Sequence, residues 1–233
     1  DDGRYFAAGK SYNAGSWLVK VDGLGTFEES DNYGESNSGF HGIGHASDGG
    51  YLLTGFTKTN ENRDSLLVVK TDNFGNIEWS RNYGYNYNSG GNAIVPLTDG
   101  TIGVTGFSHI DIDNQQIFVL KIDADGNEIW NKTIGEYKSD EGHDILPADD
   151  GGMVILGETH SQGDDNGDIW ILKLDSDGNS VDSVLIRDEG MQIGYSFLRS
   201  NLGGFTIAGK ASGGSGVTDA LIIKINDSGE VEW

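Results

Sequence analysis

The chain contains no cysteine. Disulfides, thiolate metal sites and cysteine nucleophiles are thereby excluded, although the compartment stays open. Proline is nearly absent, with two residues, and basic residues are few: 15 Lys and Arg stand against 37 Asp and Glu, a net charge of −22. A field of that sign repels phosphate, so neither nucleic acid nor anionic lipid is expected as a partner. The charge reads first as surface solubility, with divalent-cation binding or a salty habitat as the sharper alternatives. No apolar run approaches the length needed to cross a membrane, so no membrane insertion is expected. What the chain has instead is glycine, 37 of 233 residues, among many Thr, Ile, Val, Tyr and Trp. That mixture reads as short strands joined by tight turns.

One stretch recurs five times: SWLVKVDGLGT, SLLVVKTDNFGN, QIFVLKIDADGN, DIWILKLDSDGN and DALIIKINDSGE. Its lysines fall at Lys20, Lys70, Lys121, Lys173 and Lys224, and a glycine column precedes them at Gly9, Gly55, Gly106, Gly157 and Gly209. A fixed period near fifty residues means an array of one supersecondary unit. Each unit parses into four short strands, A to D, as in GNAIVPLT (91–98), TIGVTGFS (101–108), QIFVLKID (116–123) and NEIWNKTIG (127–135). Four antiparallel strands per period predict an all-β fold, a five-bladed β-propeller with four-stranded antiparallel blades. The single domain spans 1–233, with repeats at about 1–34, 35–84, 85–135, 136–188 and 189–233.

The C–D turns read DGLGT, DNFGN, DADGN, DSDGN and NDSGE. Their alternating carboxylates resemble a calcium loop, but Leu and Phe take a ligand position in sister copies. An Asx start and a glycine at positive φ suffice for a hairpin, so these are turns first. Asp125 and Asp177, with Asp164 and Asp165 in a loop, stand as secondary calcium candidates. No cofactor is otherwise expected. Trp79, Trp130 and Trp233 share a column in strand D, where Glu29 and Asp182 stand in the first and fourth repeats. Trp17, Phe118 and Trp170 share one in strand C. Both columns suit the narrow space between packed sheets. The repeated lysines are expected to snorkel or to pair with a carboxylate on the adjacent blade. Two sequons, Asn131-Lys-Thr and Asn226-Asp-Ser, are short enough to arise by chance.

The pattern D-G-G-Y-x-x-x-G, a variable loop, then D-x-W-x-x-K-x-D-x-x-G-x-x-x-W appears as DGGYLLTG…LLVVKTDNFGNIEW and DGGMVILG…DIWILKLDSDGN. It resembles the repeat of secreted or cell-surface β-propellers of bacteria and archaea, over essentially the whole chain. The resemblance implies an extracellular or cell-surface location, often within larger surface proteins. It supplies no catalytic residue.

Alternating strand directions put the A–B and C–D turns on one face and the variable B–C and D–A loops on the other, where binding usually resides. Those loops carry Tyr33, Tyr83, Tyr85, Tyr87 and Tyr137 among Asn, Ser and Gly, a mix suited to polar or sugar ligands. A sharper column, His41, Asn92, His143 and Tyr195, opens each strand A. It would ring the mouth of a central channel, with Asp140, Glu141 and Asp144 beside His143. The ligand candidates are therefore His41, Asn92, His143, Tyr195, Tyr85 and Tyr137. No G-x-S-x-G, H-E-x-x-H or phosphate-cradling loop is present, and no carboxylate pair stands out among so many acids. The expected function is a noncatalytic extracellular binding or adhesion module, not an enzyme, with a carbohydrate or cell-surface protein as partner. The alternatives are a structural subunit of a surface layer or filament and, behind it, a propeller hydrolase.

The first repeat lacks its strand A. A fragment of a longer surface protein is favoured, and self-association or a neighbouring domain would meet the incomplete blade.

Overall fold

The computed structural model describes residues 3–11, 15–33, 37–59, 61, 63–84, 87–162, 166–213 and 217–233. They form eighteen strands and, among the described residues, no helix. The strands make five antiparallel sheets. The first holds β1 (Tyr5–Ser11), β2 (Gly15–Val21) and β3 (Phe27–Asn32). The second holds β4 (Gly39–His45), β5 (Tyr51–Lys58), β6 (Asp64–Thr71) and β7 (Ile77–Tyr83). The third runs from β8 (Ser89–Pro96) through β9 (Ile102–Asp111) and β10 (Asn114–Ile122) to β11 (Glu128–Ile134). The fourth runs from β12 (Asp140–Pro147) through β13 (Met153–Thr159) and β14 (Asp168–Leu174) to β15 (Ser180–Ile186). The last holds β16 (Met191–Arg199), β17 (Phe205–Ser212) and β18 (Thr218–Ile225). Strand D of this sheet, expected to end at Trp233, is reduced to a bridge between Ile225 and Val231.

The turn chemistry follows the repeat. Asp22, Asp72, Asp123, Asp175 and Asn226 each accept the backbone N–H groups two and four residues on, at 2.8–3.0 Å. The fourth residue of each turn is a glycine with φ between 78° and 95°. These bonds hold the four aspartates below the usual carboxylate range; at Asp22 the leading cause is the Thr26 N–H, and at Asp72, Asp123 and Asp175 it is the Asn side chain four residues on.

Adjacent sheets pack through β1–β4, β4–β8, β8–β12 and β12–β16, and the first and last sheets share no strand packing of that extent. Four apolar clusters fill the four junctions. The second joins Leu52, Leu66 and Val68 to Val104, Phe118 and Leu120; the third joins Ile117 and Val119 to Ile155 and Leu172. The free face of the first sheet leaves Trp17 and Phe27 exposed, and Trp233 is also exposed, so burial fails for the aromatic columns at the ends of the array.

The lysine column is also corrected in detail. Lys121, nearly buried, meets Asp99 of its own sheet at 2.8 Å and the carbonyls of Gly151 and Ser176 on the next at 3.3 and 3.1 Å. Lys70 likewise meets Asp48 and Glu78 of its own sheet. The carboxylate is local, and at Lys121 the neighbouring sheet adds backbone carbonyls.

Candidate functional site

The four ligand candidates that open strand A share one backbone peculiarity. Pairing of each inner strand with its neighbour slips between Phe40 and Gly42, Gly91 and Ala93, Gly142 and Asp144, and Gly194 and Ser196. The residues skipped are His41, Asn92, His143 and Tyr195. A β-bulge re-aims the side chain of its extra residue, and the side chains at these four bulges reach the neighbouring sheets. The glycine column explains how the bulges fit. A Cβ on Gly55, Gly106 or Gly209 would collide with the backbone of Gly39, Gly90 or Ile193.

The bulge residues form a series of contacts, His41 with Asn92 and His143 with Tyr195. His41 Nδ1 lies 3.2 Å from Asn92 Oδ1. Asn92 Nδ2 donates to Glu141 Oε1 at 2.8 Å and to the Gly142 carbonyl at 2.9 Å. Gln115 Nε2 donates to Glu141 Oε2 at 3.0 Å, so both carboxylate oxygens are held by amides. His143 meets the ring of Tyr195 edge-on at 5.5 Å, and Lys210 lies 5.4 Å over that ring.

The centre of the series is Glu158. Its Oε1 lies 2.8 Å from His160 Nε2 and its Oε2 lies 3.3 Å from His143 Nε2. Burial pushes this carboxyl up, but hydrogen bonds to His143 and His160 outweigh it and hold the group below the usual carboxylate range. Glu158 is the cross-strand partner of Glu141. Directly opposed Cβ atoms sit about 4.5–5.5 Å apart, and like charges there are destabilising. A purely structural sheet would not choose that pair. Two held carboxylates beside two imidazoles, a phenol and an ammonium can accept, donate and relay protons.

The acids flanking His143 divide by role. Asp140 is fully buried and binds the Thr159 and Ser161 hydroxyls at 2.5 and 2.7 Å, fixing the loop after β13. Asp144 accepts from Ser196 Oγ at 2.9 Å and Phe197 N at 3.0 Å, tying β12 to β16. Tyr137 is exposed and stands apart from this series. Tyr85, Asp164 and Asp165 lie outside the described residues. Asp125 and Asp177 occupy exposed C–D turns, where their N–H groups serve the turn. Among the described residues, no group of three His, Cys, Asp or Glu side chains is arranged to hold a metal ion.

Sequence reasoning missed Glu158, His160, Gln115 and Lys210. The signal for Glu158 lay in the repeat: the residue after the column glycine is Lys10, Phe56, Phe107, Glu158 and Lys210. One carboxylate among bases and phenylalanines marks the copy that departs from the scaffold.

No protein-family model matches the chain, and no curated protein matches it in sequence. Solved structures do. A protein of unknown function from Dyadobacter fermentans is similar with a TM-score of 0.62 at 13% identity, over 94% of this chain and 70% of that one. A puromycin hydrolase gives 0.58 at 13% identity, over 98% of this chain and 36% of its own. A β-1,2-mannobiose phosphorylase from Listeria innocua gives 0.50 at 12% identity, over 90% and 67%. At such identities the likeness is one of fold, and it is to propeller-type architecture.

Two expectations are corrected here. The chain was read as a noncatalytic binding or adhesion module and as no enzyme. Structures of the same fold include a hydrolase and a phosphorylase, so the architecture gives no ground for excluding catalysis. The other ground, that no carboxylate pair stood out, fails on the Glu141–Glu158 pairing.

Proposed function

We propose that this chain is an enzyme acting on a carbohydrate, with the channel-mouth carboxylates Glu158 and Glu141 as its reacting pair. The observation that carries the reading is the opposed pair itself, each carboxylate held by its own donors. Glu158, kept ionised, is the base or nucleophile, and Glu141 supplies the second carboxyl of the pair. Glycosidic cleavage needs this division between two carboxyl groups. Tyr195 offers a ring for a sugar face, and Lys210, Asn92 and Gln115 offer donors. The mannobiose named in the phosphorylase structure belongs to the same substrate class. The test is a panel of oligosaccharides and 4-nitrophenyl glycosides, with and without inorganic phosphate, read for released sugar. Turnover of one sugar class is expected. Silence across the panel in both conditions contradicts the reading.

The architecture extends this proposal. The five sheets are the five blades of one propeller, and the repeat is of the secreted, cell-surface kind, which carries the extracellular setting.

A further inference from the structure

On the turn face, far along the strands from the bulges, the repeat builds an aromatic socket at two of its junctions. Trp79 Nε1 donates to the Ala124 carbonyl at 3.0 Å, and its ring lies against Gly126 of the next sheet's C–D turn. Trp130 does the same one junction on, donating to the Ser176 carbonyl at 3.0 Å with its ring against Gly178. In each case the indole sits across from the column lysine, Lys70 or Lys121, and covers it. The corresponding residue in the fourth sheet is Asp182, paired with Lys173.

The consequence is a cavity of about 320 Å³ between the fourth and fifth sheets, lined by Asp182, Val184, Phe205, Ile225, Asp227 and Gly229 among others. Lys173 is the most open of the column: its side chain is 43% exposed, against 9% for Lys70, 4% for Lys121 and 13% for Lys20, which faces Glu29. The volume lies at the small end of ligand pockets. The floor is apolar. The rim carries Asp149, Asp150, Asp182 and Asp227 against Lys173 and Arg199. Lys173 is paired with Asp150 at 3.2 Å, and Arg199 lies over the Phe205 ring at 5.2 Å.

We infer that this vacated tryptophan socket is a binding site for a small aromatic cation, an arylalkylammonium compound. The sister junctions hold a flat fused ring in this space; here Val184 lies against the turn glycine Gly229, and the opening left for a ring is the cavity over Phe205 and Ile225. Asp182, standing where that ring would be tethered, supplies the charge that an ammonium group answers, with Asp227 beside it. The ring displaces water from Val184, Phe205 and Ile225, and the excess of carboxylates selects a cation over an anion.

The experiment is calorimetric titration of the whole chain with tryptamine. Saturable 1:1 binding is expected, with indole-3-acetate at least tenfold weaker. Asp182→Trp refills the socket from within, so it abolishes tryptamine binding and raises Tm. Asp182→Asn keeps the cavity and removes the charge, so it weakens tryptamine severalfold and leaves 3-methylindole unchanged; it serves alone if Asp182→Trp does not fold. Absence of saturable binding overturns the assignment. So does binding that survives Asp182→Trp unchanged, is indifferent to Asp182→Asn, or is as tight for indole-3-acetate.

Discussion

Single side chains in this protein are held by local bonds that can be removed one at a time. Lys121 is the clearest case, since its ammonium joins Asp99 to two carbonyls of the next sheet. Hydrogen bonds to a charged group are worth about 1.5–3 kcal/mol, so Lys121→Ala should cost about 2–3 kcal/mol in urea unfolding. A loss under about 0.5 kcal/mol would make the bridge decorative. Glu158 makes a second residue-scale prediction. Its pKa is lowered in the fold, so its contribution to stability is complete above the unfolded value, ~4.3, and is lost as pH falls through the folded one. By the same sign, a base at this position stays active below the ordinary carboxylate range. The acid limb of kcat/KM should therefore lie below pH ~4.3; a limb at pH 6 would assign the base to another group.

At the scale of the element, the bulged inner strand is the unit that makes the site. Each bulge requires a neighbour without a Cβ, whereas at Gly9, in the three-stranded first sheet of the described residues, an added Cβ meets nothing. Gly106→Val should destabilise the chain by about 3 kcal/mol, because its side chain would strike the Gly90 carbonyl and overpacking of this kind costs that much. Gly9→Val should fall within about 0.5 kcal/mol of the parent. Equal losses in thermal melts would mean that the glycine column serves something other than the bulge. These columns also show what the sequence could reveal. The turns, the glycines and the bulge column were legible because each recurs at a fixed offset, and in the fold His41 meets Asn92 while His143 meets Tyr195. Glu158 and His160 were not legible in the same way. They occur in one copy, and only the folded register sets Glu158 opposite Glu141. Repetition reports scaffold, and function here lies in departures from it, as at Asp182.

Across the whole molecule, the five sheets pack one on the next through β1–β4, β4–β8, β8–β12 and β12–β16, with an apolar cluster at each of these junctions.

The channel-mouth carboxylates remain the centre of the account, and turnover by the parent chain against Glu158→Gln tests them most directly. With fold and mass matched by circular dichroism and light scattering, the variant should lose about 10²–10⁴-fold in kcat, the range of a positioned acid–base group. A variant that turns sugar over as fast as the parent would contradict the assignment of chemistry to Glu158.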